Sequence, residues 1–173
     1  MVSSSLFVLG GARSGKSRFA VTCAPLGARI AFIATAQAGD DDMAARIARH
    51  QAERPSHWLT IEEPLALTDA LDSLPPDVDG VIIDCLTVWV ANLMARGHTD
   101  DAVLKAAEAL AERVTHRRTP ITLVSNEVGQ GVHPPTAEGL RFADRLGRVN
   151  QRMAAACDRV VLMVAGLPLT VKG

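Results

Sequence analysis

The segment Gly10-Gly11-Ala12-Arg13-Ser14-Gly15-Lys16-Ser17 decides the fold of this 173-residue chain. It matches the pattern G-x-x-x-x-G-K-[S/T] of a phosphate-binding loop. Apolar residues 6–9 precede it and predict a strand, and residues 18–21 follow it and predict a helix. The glycines let the backbone turn so that its N–H groups point at phosphate oxygens, and the helix dipole favours the same anion. The segment therefore predicts that Lys16 contacts the β- and γ-phosphates of a nucleotide and that the Ser17 hydroxyl binds Mg²⁺.

Composition limits the possible classes of protein. Hydrophobic residues make up 48% of the chain and charged residues 21%, which is typical of one globular domain over residues 1–173. The net charge of −1 gives no basic surface for a nucleic acid, so we expect no nucleic-acid partner. No apolar run reaches the length of about 18 residues that a membrane span needs. The three cysteines show no metal-ligand spacing, and an odd count without a signal peptide predicts a reduced, cytoplasmic protein.

Apolar runs alternate with helical patterns along the whole chain. Continuous apolar runs of the kind found in strands buried on both faces occur at 29–34, 80–84, 121–124 and 159–164. Helices are predicted between them, at 64–71, 86–96, 100–117 and 136–157, and a short extended segment at 58–62. We therefore expect a three-layer α/β fold, with four to five strands in a mostly parallel sheet and a short tail after Gly166.

Asp84 ends one of these predicted strands. Branched apolar residues that end in an acid resemble the Walker B pattern, in which a carboxylate beside the phosphate loop holds Mg²⁺ directly or through water. The alternative is that Asp84 caps the following helix.

His50 lies in a predicted helix over residues 43–53 that Pro55 ends. Arg46, His50 and Arg54 are spaced four residues apart and would share one face of that helix. A neutral imidazole flanked by arginines could attack the α-phosphorus of a nucleoside triphosphate and form a phosphoramidate. The alternative is a solvated histidine on a charged helix surface, and the spacing alone does not exclude it.

The motifs alone leave three functions open. The chain could couple nucleotide binding to a covalent histidine, it could be a simple kinase of a small molecule, or it could be a nucleotide-switched binding module. Further along the chain, a polar loop at 125–135 follows a predicted strand and carries Asn126 and Glu127. This loop is a candidate for contact with a substrate or with another subunit.

The whole chain resembles the bifunctional adenosylcobinamide kinase / adenosylcobinamide-phosphate guanylyltransferases, the CobU/CobP family. The resemblance rests on an ordered set of motifs and not on the phosphate loop alone. These are residues 10–18, 33–36 and 42–47 with His50, Arg54, Trp58 and Glu62, then 84–87 with Trp89 and Asn92, then 125–129, 141–144, 146–151 and 166–168.

The resemblance implies a RecA-like fold, a homotrimer, and two reactions. ATP or GTP would phosphorylate adenosylcobinamide, a corrinoid, and GMP would then pass from GTP to that phosphate through a guanylylated His50. Glu62 would accept the N1–H and N2–H groups of guanine; without the resemblance, a solvated charge at the end of a strand is an equal alternative. Asp84 stands where some members carry Glu, so its partner, metal or guanine, stays open. The nucleotide-binding positions implied are Gly10, Gly11, Ala12, Arg13, Ser14, Gly15, Lys16, Ser17, Ala34, Thr35, Ala36, Gln51, Ala52, Glu53, Arg54, Glu62 and Asp84.

Overall fold

A computed structural model of the chain describes residues 4–37, 51 and 54–173. These residues form one seven-stranded sheet with helices on both faces. The strands are β1 (Ser5–Gly10), β2 (Ile30–Ala34), β3 (Leu59–Glu62), β4 (Gly80–Asp84), β5 (Ile121–Val124), β6 (Arg159–Val164) and β7 (Leu167–Lys172). The helices are α1 (Lys16–Thr22), α2 (Leu67–Asp72), α3 (Leu86–Ala95), α4 (Asp100–Thr115) and α5 (Ala137–Ala156).

The strand order is β3-β2-β4-β5-β1-β6-β7. All neighbouring strands are parallel except β6 and β7. Strand β5 lies between β1, which leads into the phosphate loop, and β4, which ends at Asp84. Because the carboxyl ends of parallel strands meet at one edge, the loops after β1, β2, β3, β4 and β5 meet there too.

Alternate residues along each strand pack against different helices. On one face, Ile33, Ile83 and Leu123 are fully buried beneath α2, α3, α4 and α5. On the other face, Phe32, Ile82 and Val124 pack with Ala20 of α1. The three-layer arrangement and the mostly parallel sheet are therefore as expected from the alternation of buried runs and helical patterns.

The predicted count of four to five strands was too low, and the predicted tail after Gly166 is wrong. Residues 167–172 form strand β7, which pairs antiparallel with β6 through a tight turn at Ala165 and Gly166. Both turn residues have positive φ, 52° and 84°, as a two-residue hairpin turn requires. Pro168 is tolerated because β7 is the edge strand of the sheet.

The remaining predicted elements lie close to the observed ones. The extended segment predicted at 58–62 is strand β3. Helix α2 begins three residues later than expected, at Leu67, because Glu63 Oε1 accepts the N–H groups of Leu65 at 2.8 Å and Ala66 at 2.7 Å before the first turn. The helix predicted at 43–53 lies outside the described residues. Within the described part of the chain, no helix has both the length and the apolar character that crossing a membrane would need.

Candidate nucleotide-binding site

The loop between β1 and α1 depends on two glycines. Gly10 has φ 153°, and a Cβ there would lie 2.6 Å from Ser14 Oγ and 2.7 Å from the Met163 carbonyl oxygen. Gly15 has φ 93°, a left-handed conformation that glycine adopts without strain. Lys16 is 8% exposed, and its ammonium group donates to the Gly11 carbonyl at 2.6 Å. The loop therefore folds back around the Lys16 amine, as a phosphate cradle requires.

Neighbouring segments hold this loop in place from two sides. The Gly166 N–H in the β6–β7 turn donates to the Ser14 carbonyl at 3.0 Å, and the Glu127 N–H after β5 donates to the Gly10 carbonyl at 3.0 Å. Ser14 Oγ is buried and has no hydrogen-bond partner among the described residues. Because a buried hydroxyl without a partner is costly, this oxygen is available to a ligand of the loop.

Two carboxylates stand at the same level of the sheet edge. Ala34 of β2 is aligned with Glu62 of β3 on one side and with Asp84 of β4 on the other. Aligned residues of neighbouring parallel strands point to the same face of a sheet. Glu62 and Asp84 therefore flank the small side chain of Ala34, on the face that α1 covers.

Arg54 lies close to the carboxylates of Glu62 and Asp84. Its guanidinium carbon is 3.5 Å from the centre of the Phe32 ring, a cation–π contact. Burial lowers the pKa of Arg54 from its usual value, and the charges of Asp84 and Glu62 oppose that shift. Arginine stays protonated despite such a shift, so a positive charge lies near both carboxylates. Its buried Nη1 has no hydrogen-bond partner among the described residues.

Helix α3 fixes the loops that follow β2 and β3. The Asn92 side-chain amide donates to the carbonyls of Thr35 at 2.9 Å and Pro64 at 3.2 Å. The Trp89 indole N–H donates to the Leu65 carbonyl at 2.8 Å. One helix thus sets the distance between the loop that follows Ala34 and the loop that follows Glu62.

Thr35 also connects β2 to the end of β4. Its hydroxyl donates to the Cys85 carbonyl at 2.8 Å and accepts the Cys85 N–H at 2.9 Å. Burial and the adjacent Asp84 charge raise the pKa of the Cys85 thiol to about 11, so this thiol is neutral near pH 7. The residue after Asp84 is therefore a neutral group that packs against the cluster around Phe32 and Ile82.

Most of the predicted site residues meet at this one edge. The phosphate loop, residues 34–36, Arg54, Glu62 and Asp84 lie along it, on consecutive loops and strand ends. Gln51 is described and exposed, and its carbonyl accepts the Arg54 N–H at 3.1 Å. His50, Ala52 and Glu53 lie outside the described residues, and so does Arg46.

The sequence did not reveal how several residues shape the site, although Thr87, Asn92 and Asn150 lie in the motifs of the family resemblance. Phe32 is a core residue by pattern, yet its ring is the surface on which Arg54 rests. Thr87 and Asn92 are polar residues on the mostly apolar helix α3, and Asn150 lies on the amphipathic helix α5. Only the folded chain shows that they bind the loops of the edge. A polar residue on the buried side of a helix was the available signal, because such groups are almost always hydrogen-bonded.

Fold and loop together define a P-loop nucleotide-binding protein of the RecA-like class. Solved structures agree with the fold assignment. The chain superposes on a type III secretion system ATPase with a TM-score of 0.58 at 13% identity, covering 96% of this chain and 56% of that one. It superposes on the RadB recombinase with a TM-score of 0.50 at 14% identity, covering 92% and 73%.

Comparison of sequences identifies the family within this class. Residues 6–171 match the family model described as cobinamide kinase / cobinamide phosphate guanyltransferase, and the chain belongs to that family. It is 46% identical over 169 residues to the bifunctional adenosylcobalamin biosynthesis protein CobP of Pseudomonas aeruginosa, covering 96% of each chain. It is 38% identical to the corresponding protein CobU of Salmonella typhimurium, covering 96% of this chain and 99% of that one. The protein is thus an enzyme with the kinase and guanylyltransferase activities of its family.

Proposed function

We propose that the chain phosphorylates adenosylcobinamide with ATP or GTP and then joins GMP from GTP to that phosphate through a guanylylated His50. The observation that carries this proposal is the shared edge of the sheet. The Lys16 loop lies on one side of the end of β5, and the Arg54 guanidinium and the carboxylates of Glu62 and Asp84 lie on the other. A triphosphate needs the cation and the loop, and a guanine base needs a hydrogen-bond acceptor that adenine cannot use.

The kinase step uses the phosphate loop in its ordinary role. Lys16 neutralises charge on the β- and γ-phosphates while the substrate hydroxyl attacks the γ-phosphorus. The bond from that phosphorus to the bridging oxygen breaks, and the nucleoside diphosphate leaves. Backbone N–H groups of residues 10–17 orient the phosphate chain for this attack.

In the second step a nitrogen of His50 attacks the α-phosphorus of GTP and pyrophosphate leaves. A phosphate oxygen of the corrinoid substrate then attacks the same phosphorus, and the histidine is released. The unpartnered Nη1 of Arg54 supports this step, because a buried guanidinium N–H is suited to bind a phosphate oxygen. The carbonyl of Gln51 accepts the Arg54 N–H, and His50 is the residue directly before Gln51 in sequence.

Mg²⁺ accompanies the triphosphate in this proposal. Among the described residues no cluster of three or more acidic, histidine or cysteine side chains could enclose a metal ion. This fits Mg²⁺, which keeps several waters and is bound by phosphate oxygens and only one or two protein groups. The half-buried Ser17 and Asp84 would hold it, and it would neutralise charge on the phosphates.

The assembly we propose is a homotrimer in the cytoplasm. Its support is an exposed apolar face on edge strand β7, where Leu167 is 71%, Leu169 57% and Val171 62% exposed. Single exposed apolar residues are common, but a continuous row on a sheet edge favours an interface. We expect light scattering to give the mass of three chains, and a mass of one chain would contradict the proposal.

A direct assay tests the two reactions. The purified protein is incubated with adenosylcobinamide, Mg²⁺ and GTP, and the corrinoid products are separated and weighed by mass spectrometry. The expected products are first the phosphate and then the GDP derivative, with one pyrophosphate released in the second step. A phosphate that is never converted, although GTP is in excess, would reduce the proposal to a kinase.

A further inference from the structure

The end of strand β5 lies between the phosphate loop that follows β1 and Asp84 at the end of β4. Val124, its last residue, is aligned with Val8 of β1 on one side and with Asp84 of β4 on the other. The residues that follow, 125–127, therefore leave the sheet between the phosphate loop and Asp84. A ligand held by that loop would have this segment beside it.

Four hydrogen bonds fix the position of this segment. The Ser125 N–H donates to the Val8 carbonyl at 3.0 Å, and the Glu127 N–H donates to the Gly10 carbonyl at 3.0 Å. The Asn126 N–H donates to the Thr87 hydroxyl at 2.7 Å, and the Asn150 amide donates to the Asn126 carbonyl at 3.0 Å. Glu127 is thus attached directly to the first residue of the phosphate loop.

The Glu127 side chain is half-buried and only partly bonded. Its Oε1 accepts the Gly129 N–H at 2.8 Å. Among the residues described, the carboxylate has no cation and no second hydrogen-bond donor. One carboxylate oxygen is therefore held by the turn, while the other is available to accept a proton.

The two reactions differ in what they require of such a group. The hydroxyl of adenosylcobinamide must lose its proton as it attacks, and a positioned carboxylate speeds that transfer. The phosphate that attacks in the second reaction is already ionised near pH 7, so it needs no base. A residue that acts only as a base should therefore matter for the first reaction alone.

We propose that Glu127 is the general base of the kinase reaction, a proposal that rests on the function proposed above. Its carboxylate takes the hydroxyl proton while the hydroxyl oxygen bonds to the γ-phosphorus. The bond between that phosphorus and the bridging oxygen breaks, and the nucleoside diphosphate leaves with the electron pair. The carboxylic acid then gives its proton to water. Glu62 and Asp84, the other carboxylates of this edge, lie on β3 and β4 and are assigned to guanine and to Mg²⁺.

The test is the variant Glu127→Gln, measured in both reactions. Glutamine keeps an oxygen that accepts the Gly129 N–H, but it is not a base. We expect the phosphorylation of adenosylcobinamide to slow by about 100-fold or more, the usual effect of losing a general base. When adenosylcobinamide phosphate is added directly as the substrate, the variant should transfer the guanylyl group at the rate of the unaltered protein. An unchanged rate in this second reaction also shows that the variant is folded. Glu138→Gln, an exposed glutamate in the first turn of α5, is the matched control and should change neither rate.

Two results would overturn the assignment. Equal losses in both reactions would show that Glu127 supports the phosphate loop, and unchanged phosphorylation would show that it is no base. If the proposed function itself is wrong, the unaltered protein will not form adenosylcobinamide phosphate or its GDP derivative. That result is distinct from both outcomes for the Glu127→Gln variant.

Discussion

Glu62 and Asp84 are both aligned with Ala34, one from each strand that neighbours β2. Two strand spacings of about 4.8 Å separate their backbones by roughly 10 Å. The side chain between them is a single methyl group, so no bulky side chain of β2 separates the two carboxylates. Arg54 rests on the ring of Phe32 in the same strand as Ala34, and both carboxylates raise its pKa against the effect of burial. In the proposed function, Glu62 accepts the N–H donors of guanine at this edge.

Glu62→Gln is expected to impair the use of GTP more than the use of ATP. The amide retains one acceptor oxygen and places an NH₂ group where guanine offers its own donors. Loss of a bidentate pair costs about 1–3 kcal/mol, so we expect KM for GTP in guanylyl transfer to rise by about 5- to 150-fold. Steady-state kinetics with each nucleotide measures this, and ATP-driven phosphorylation should change little.

The neighbouring Glu63→Gln is the matched control. Glu63 Oε1 accepts two backbone N–H groups before helix α2, and glutamine keeps that acceptor. It should leave the preference between nucleotides unchanged. If both variants alter KM for GTP alike, Glu62 has no special contact with guanine.

Lys16→Ala is expected to abolish both reactions. The ammonium group, which is almost fully buried in the loop, would be lost from the β- and γ-phosphates of either nucleotide. Loss of such a transition-state contact costs about 100-fold or more in kcat. Lys105→Ala, at an exposed position of α4, should leave both rates unchanged. Retained guanylyl transfer in Lys16→Ala would indicate a second nucleotide site.

Trp89→Phe is expected to destabilise the fold. The substitution removes the indole N–H and leaves the Leu65 carbonyl without its partner in a buried region. The free energy of unfolding should fall by about 1–3 kcal/mol, the cost of an unsatisfied buried polar group. Urea denaturation followed by circular dichroism gives this value. Trp58→Phe is the control, since Trp58 is only half-buried, and a larger loss there would contradict the role given to Trp89.

The sequence predicted the buried strands of the sheet better than the exposed edge strand β7. Residues 80–84, 121–124 and 159–164 were predicted as strands with the observed limits, because buried parallel strands are unbroken apolar runs. Strand β7 escaped prediction because it is exposed on both faces and contains Pro168. The alternation of Leu167, Leu169 and Val171 after a glycine turn was a signal that would have indicated a hairpin, but it was not used.

The site was predictable where a motif carries the chemistry. The spacing from Gly10 to Ser17 is such a motif, and it predicted the loop that the structure contains. The register that sets Glu62 and Asp84 on either side of Ala34 is not a local property, since it depends on pairing between distant segments. The same holds for Asn92, whose two acceptors, Thr35 and Pro64, lie far from it in sequence.

The most direct test of the proposed covalent mechanism is the labelling of His50. The protein is incubated with Mg²⁺ and GTP carrying a radioactive α-phosphate, and no corrinoid is added. We expect a protein-bound label that is stable in base and labile in acid, as a phosphoramidate is, and that a peptide digest locates on His50. His98→Ala, in the exposed segment between α3 and α4, should be labelled like the unaltered protein. His50→Ala should take up no label, and a His50→Ala variant that is still labelled would contradict the mechanism.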